Sequence, residues 1–309
     1  MRLNGKYLLL FFGIPALFLG TLFQVKAQDE SFYYKLIHPD TKAESFLFGT
    51  YHNYPEGWFD VPELVKDDLA KSSVLITEIG NIRLTNFDKK INKAVRYKPG
   101  KTVLDKLTKY DREAFQKYID EKIGGSPSEQ MDVLNYKPYF MFTSLFALRF
   151  SDRVMSMERD IKAIAEAENI PIQDLEPNQR RLLRYAKKYA RKSKPINIGL
   201  TAEIQMLMTS KMFADYLRGD IAAMRKAAGG ASQYAIERNH YWVPQLVKRL
   251  REPSFVAVGA GHLIGQQAVQ ELLRSAGFIV EPIILSLPLP QALVDYLSEQ
   301  NVPVKPTLL

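Results

Sequence analysis

The sequence predicts an α/β (α+β) fold: a mixed central β-sheet formed by the N- and C-terminal segments, with a large helical insert between them. Three observations lead there. Short apolar runs of strand character gather at both ends of the chain, whereas residues from about 100 to 250 read almost wholly as helix. Two motifs, Phe46-Leu47-Phe48-Gly49-Thr50-Tyr51-His52 and Phe255-Val256-Ala257-Val258-Gly259-Ala260-Gly261-His262, repeat one frame, an apolar strand followed by Gly-x-x-His. The 309 residues include only four histidines, His38, His52, His240 and His262, so half of them occupy this frame.

Taken in order, the chain opens with Arg2 and Lys6 ahead of an apolar stretch, 7–23, and then Val25-Lys26-Ala27 and the polar Gln28-Asp29-Glu30-Ser31. A basic start, an apolar stretch and a small residue before a polar beginning describe a secretory signal, expected to be cut after Ala27. The rival reading, an uncleaved anchor, would use a stretch at the short edge of a spanning helix. Residues 28–309 then form one domain carrying a helical cap subdomain over about 100–250.

Residues 32–37 and 45–50 read as a hairpin around His38-Pro39-Asp40-Thr41, which makes His38 a turn residue. Each Gly-x-x-His motif is followed by a polar loop, a helical run and another apolar strand, over 61–71 and 74–79 in the first copy and 267–275 and 278–284 in the second. Helical pieces are expected at 103–123, 131–150, 158–169, 177–192, 200–228 and 233–250, interrupted by a short strand at 171–175. Pro244 is expected to kink or start the last of these. A short helix and a proline-punctuated tail close the chain over 288–309.

Composition narrows the chemistry. With 46% hydrophobic and 25% charged residues the bulk is a packed domain, and the absence of cysteine excludes disulfides, thiolate nucleophiles, zinc–thiolate sites and a lipobox anchor. The formal charge of +8 becomes +5 without residues 1–27, which carry Arg2, Lys6 and Lys26 and no acid. Much of the remainder sits in 179–194, with Arg180, Arg181, Arg184, Lys187, Lys188, Arg191, Lys192 and Lys194. This segment reads either as a solvated helix face or as a peripheral membrane contact. An exported protein gives no role to nucleic acid.

A side chain just past a strand end, on a glycine turn, faces the crevice where α/β sheets bind ligands, so His52 and His262 are expected to share one site. Glu78 ends an apolar run, 74–79, where a carboxylate is costly unless paired, metal-bound or at an open strand end. Glu176 ends the strand 171–175 in the same way, and Asp160 opens the helix before it. Arg238 and Asn239 lie in the polar stretch Ile236-Glu237-Arg238-Asn239-His240-Tyr241-Trp242, with His240 read as a helix-face residue. There is no His-Glu-x-x-His, Gly-x-Ser-x-Gly, Walker loop or Gly-x-Gly-x-x-Gly opening a strand–helix unit. Two histidines with a carboxylate suit a divalent metal with an open position, and without thiolates the choice is manganese, cobalt or zinc.

At these residues the chain resembles the TraB/GumN family, to which the Tiki proteases are related. The matching text comprises Leu47-Phe48-Gly49-Thr50-Tyr51-His52, Leu75-Ile76-Thr77-Glu78-Ile79, Glu158-Arg159-Asp160-Ile161, Leu175-Glu176-Pro177-Asn178-Gln179, Glu237-Arg238-Asn239 and Val258-Gly259-Ala260-Gly261-His262-Leu263. The resemblance implies a mixed sheet with helical caps, related to erythromycin-esterase-like and haem-binding ChaN-like proteins. It also implies that the paired histidines and the first glutamate form an active site, with metal-dependent protease chemistry as in the Tiki proteins. The chain departs from the pattern where Ile79-Gly80 follows Glu78 in place of Leu-Asp, and where Asn53 replaces the usual apolar residue.

The expectation is thus an exported, metal-dependent, peptidase-like hydrolase acting on a peptide or a small amide or ester. His52, Glu78 and His262 form the metal or acid/base set, Arg238 holds a substrate carboxylate or the oxyanion, and Asp160, Glu176, Asn239, Gly49 and Gly259 stand behind them. The alternative is a non-catalytic binding protein that sequesters a peptide signal or a haem, with some of the 16 tyrosines and Met206, Met208 and Met212 lining an apolar pocket. N-terminal sequencing of the mature protein is expected to begin at Gln28; a chain beginning at Met1 in a membrane fraction would establish the anchor instead.

Overall fold

The computed structural model describes residues 30–79, 87–151, 153–176, 179–192, 198–228 and 232–303. The expected signal at 1–27, Gly80, Pro177, Asn178, residues 193 and 194 of the basic segment and the side chain of Asn53 lie outside the described residues.

Eight strands are described: β1 Tyr33–Ile37, β2 Glu44–Thr50, β3 His52–Pro55, β4 Leu75–Thr77, β5 Val154–Ser156, β6 Ile172–Asp174, β7 Phe255–Gly259 and β8 Ile279–Pro282. Six form one mixed sheet in the order β6-β4-β7-β2-β1-β8. β1 and β2 are the expected antiparallel hairpin, closed by a turn in which His38 Nδ1 accepts from the Asp40 and Thr41 amides. β2, β7, β4 and β6 run parallel, with Thr50 beside Gly259, Thr77 beside Ala257 and Asp174 beside Thr77. Both faces of these strands are covered, so they read in sequence as unbroken apolar runs. β8 lies at the far edge, antiparallel to β1, so the two similar strand–helix–strand passages deliver their last strands to opposite sides of β7.

Twelve helices are described. α1 (Glu63–Ala70) joins β3 to β4. The insert supplies α2 (Phe87–Val95), α3 (Lys109–Tyr118), α4 (Pro127–Leu134), α5 (Pro138–Phe150), α6 (Met157–Ala167), α7 (Gln179–Lys192), α8 (Ile198–Leu217), α9 (Ile221–Ala228) and α10 (Gln233–Arg249). α11 (Val269–Ser275) and α12 (Gln291–Glu299) follow. Alternation along the strands splits the core into two layers. Phe46, Phe48, Phe255 and Ala257 face Val65 and Leu69 of α1, Ile161 and Ala165 of α6 and Phe213 of α8. Leu47, Ile76, Val256 and Val258 face Trp242 and Leu246 of α10 and Val269 and Leu273 of α11. α10 therefore belongs to the sheet's own packing as well as to the insert.

Three helical expectations are corrected. The helix expected over 131–150 is two, because Pro138 has no amide to continue α4 and instead begins α5. The helix expected over 200–228 breaks at Gly219, whose φ of 73° takes the chain out of α8. Of the two expectations for Pro244, a kink or a start, the start is excluded, because α10 begins at Gln233 and runs through it. On α7, Arg184, Lys187 and Arg191 are exposed and Ala190 is buried.

The two Gly-x-x-His turns pack on each other. A Cβ on Gly49 would lie 2.8 Å from Leu263 Cδ1 and 3.3 Å from both Ala260 Cα and Phe32 O, so a side chain there would displace Leu263 and crowd two backbone atoms. The Gly49 carbonyl accepts from Tyr216 of α8 at 2.7 Å. Gly49→Ala is expected to destabilise the fold by roughly 1–3 kcal/mol through this overpacking, read from denaturant or thermal unfolding. A neutral outcome would mean that the turns separate without cost.

Candidate functional site

The four parallel strands end at one edge of the sheet, and each delivers a polar side chain there. His52 follows β2, His262 lies in the 3-10 turn Ala260–Leu263 after β7, Glu78 follows β4 and Glu176 lies two residues past β6. The ladder continues past the last two strands: the Leu175 amide donates to Thr77 O at 2.9 Å and the Glu176 amide to Glu78 O at 3.0 Å. The two glutamates are thereby fixed on adjacent chains. Gly259 marks the centre. A Cβ there would lie 3.0 Å from Glu78 Oε1, 3.4 Å from His52 Nε2 and 3.8 Å from His262 Cδ2.

Arg238 of α10 ties the buried half together. Its Nη2 is 2.6 Å from Glu78 Oε2, its Nε donates to Glu176 Oε1 at 3.3 Å, and its Nη1 donates to His262 Nε2 at 3.1 Å. The guanidinium lies over the Trp242 ring at 4.3 Å, and Trp242 Nε1 donates to the same Glu176 oxygen at 3.1 Å. Because Nε2 of His262 accepts from a group that can only donate, its proton sits on Nδ1, which donates to Asn239 Oδ1 at 2.6 Å. Asn239 Nδ2 in turn donates to the carbonyls of His262 and Gln267. Glu78 Oε1 accepts from the Gly259 amide at 2.6 Å and lies 3.6 Å from His262 Nε2.

His52 forms the open half, its side chain 40% exposed against 6% for His262. It begins β3, which pairs with β5 so that His52 sits opposite Ser156, and its Nδ1 is 3.0 Å from Ser156 Oγ. Its Nε2 is 3.9 Å from Glu158 Oε2. That separation is too long for a direct bond and suits a shared water. Glu158 is in the first turn of α6, 3.3 Å from Lys162 Nζ.

Burial and charge set the protonation states. Burial alone would raise the Glu78 carboxyl, but the charge of Arg238 above all, with the neighbouring imidazoles of His262 and His52 and the Gly259 amide, outweighs it and holds Glu78 well below the usual carboxylate range. Glu158 moves the other way: burial and the charge of Glu78 raise it, against His52 and Lys162. Burial, with Arg238 and His52, depresses His262 to about 3 despite Glu78. Glu78 is therefore a fixed anion, His262 a fixed neutral acceptor, and Glu158 a carboxyl displaced toward neutrality.

The structure brings together His52, Glu78, His262, Arg238, Glu176, Asn239 and Gly259, and places Gly49 beneath the second turn. Asp160 lies apart from this cluster: it accepts from Tyr54 of β3 at 2.5 Å and lines a groove of about 1090 Å³ with Trp58, Phe59, Ile164, Leu217 and Leu289. None of the clustered side chains lines that groove. Arg238 is 3% exposed and engaged on every side, so it stands inside the cluster and not at its mouth. His240 is exposed and bonded to Gln267. Met206 is buried in the core, whereas Met208 is exposed. Sequence reasoning missed Glu158, Ser156 and Trp242. Met157, Glu158, Ile161 and Ala165 form the buried side of α6, so Glu158 is the acid on the apolar stripe and could have been found by helical spacing.

The side chains present have the right elements for a divalent ion, two imidazoles and a carboxylate, but not the arrangement. The Nε2 lone pair of His262 and one oxygen of Glu78 are both engaged by a guanidinium. Among the described residues no three His, Cys, Asp or Glu side chains close around one point as a metal requires. The expected set of His52, Glu78 and His262 does not fit a metal in this arrangement.

The fold and the site define a class: a mixed-sheet α/β protein with paired strand–turn–histidine units at the carboxyl edge of its parallel strands. The model of the TraB/PrgY/gumN family matches residues 32–282, from β1 to β8, and the chain belongs to that family. No curated protein and no solved structure matches it.

The depressed His262 links stability to pH. In the unfolded chain imidazole takes up a proton below about pH 6.5, whereas in the native state it does not until about 3, so stability falls with falling pH across that window. Glu78 adds a loss of the same sign only below its unfolded value of 4.5. Between pH 6.5 and 4.5, His262→Gln is expected to lose melting temperature less steeply than the native protein. Parallel slopes would show that His262 titrates normally.

Proposed function

We propose that this chain is a hydrolase acting at the carbonyl carbon of a peptide or a small amide or ester, with His52 as the base that activates water. The observation that carries the reading is the pairing of an exposed imidazole with a buried acid. His52 is the open member of a cluster whose other members are buried, and its Nε2 faces Glu158 at 3.9 Å.

The chemistry follows from those two groups. With Nδ1 held by Ser156, Nε2 of His52 takes a proton from a water that it shares with Glu158, and the water oxygen bonds to the carbonyl carbon. The carbonyl electron pair moves onto oxygen. When it returns, the bond to the leaving nitrogen or oxygen breaks, and Glu158, reacting from the protonated form that burial and the charge of Glu78 favour, gives that atom its proton. His52 then passes its proton to Glu158, which restores both groups. Glu78 remains anionic throughout and stabilises the positive charge that develops on His52. Asn239, Arg238 and Glu176 keep His262 and Glu78 in place and never meet the substrate. Export completes the reading and rests on residues 1–27.

His52→Ala is expected to lower turnover by roughly 10²–10⁴-fold in a peptide-library cleavage assay while leaving the melting temperature within a few degrees. Val256→Ala, at a fully buried site, is expected to do the reverse, costing roughly 1–3 kcal/mol with activity per folded molecule retained. A folded His52→Ala protein with full turnover would sink the proposal. Tight peptide or haem binding by the native protein without any turnover would favour the binding-protein alternative.

A further inference from the structure

We propose that Arg238 is the resident cation of this site, so that His262 and Glu78 bind a divalent ion only when its guanidinium is removed. The proposal concerns the cluster of the hydrolytic reading, but its test reads metal uptake and not turnover, so either can fail alone.

Three observations carry it. First, the guanidinium takes the atoms a metal would need. Nη1 faces the His262 lone pair at 3.1 Å and Nη2 faces Glu78 Oε2 at 2.6 Å. Asn239 directs that lone pair inward by accepting the Nδ1 proton, which is how a protein prepares an imidazole for a metal. Second, the side chain is fixed. It packs on Trp242 at 4.3 Å and Tyr234 at 5.0 Å, donates to Glu176 and is 3% exposed, so ring faces and a carboxylate hold it in place. An arginine keeps its charge at every accessible pH and repels a second cation at the same atoms. Third, the residue left by its removal is a ligand set. His262 Nε2 and Glu78 Oε1 are 3.6 Å apart, a separation that two ligands on one ion can adopt when each bond is roughly 2 Å long. Water would complete the coordination of an ion held by these two side chains. Without the guanidinium Glu78 loses its main neutralising charge, and a divalent cation would replace it.

The test is metal content after dialysis, together with melting temperature with and without Mn²⁺, Co²⁺ or Zn²⁺, for the native protein, Arg238→Met and Arg238→Gln. The native protein is expected to keep no metal above background and to show no shift. Each variant is expected to take up about one equivalent and to melt higher with metal, and uptake is expected to be lost again when His262→Ala is added. A variant that folds only when metal is supplied supports the proposal equally. Stoichiometric metal in the native protein that disappears in His262→Ala overturns it. So does either variant folding without metal uptake, and so does failure of both variants to fold with metal present.

Discussion

The site depends on the register of four parallel strands. β2, β7, β4 and β6 stop together, and because side chains alternate across a sheet, their register decides both what reaches the edge and which face each residue enters. A slip of one residue between β2 and β7 would exchange Phe46 and Phe48 for Leu47 in the core layers and move His52 away from Gly259. The fit of the turns enforces the register from above. Leu263 and Ala260 crowd any side chain on Gly49, and Glu78 with His52 leaves little room on Gly259. Neither position needs glycine for its backbone angle; it needs glycine because another chain comes close.

Bringing three glutamates to one edge has an electrostatic cost that the interior must offset. Glu78, Glu158 and Glu176 are all buried; Arg238 contacts Glu78 and Glu176, and Lys162 contacts Glu158. A planar guanidinium suits this better than an ammonium would, since Nε, Nη1 and Nη2 each meet a different partner in a fixed fork. Glu158 bears part of the cost: burial and the charge of Glu78 raise its carboxyl toward the neutral form. The same buried network that would stabilise little in itself therefore shifts the carboxyl of Glu158, the acid that faces the open histidine.

Much of this was legible in the sequence. Unbroken apolar runs marked the covered parallel strands, and an acid at the end of such a run marked Glu78 and Glu176, because a carboxylate has no place further in. What failed were choices between neighbours. Asp160 and Glu158 both open α6, and only the 3.6-residue repeat with Ile161 and Ala165 separates the acid that faces the site from the one that bonds Tyr54. Arg238 was expected at the substrate, because a sequence shows that an arginine is near a site without showing that its charge is already engaged. The pairing of β3 with β5 joins segments about a hundred residues apart, which no local pattern reveals.

The position of β7 has a consequence for how the protein is made. This strand separates β2 from β4 in the sheet, yet it is encoded near the end of the chain, and the bond from the Gly259 amide to Glu78 spans 181 residues. Until β7 emerges, β2 has only its hairpin partner and β4 only β6. The nascent chain thus holds exposed strand edges and an unassembled cluster of charges through most of its synthesis, a slow, long-range topology that keeps intermediates open. His52 and the acids do not come together before β7 enters between β2 and β4. The order of the sequence thus fixes the cluster as the last part of the sheet edge to assemble.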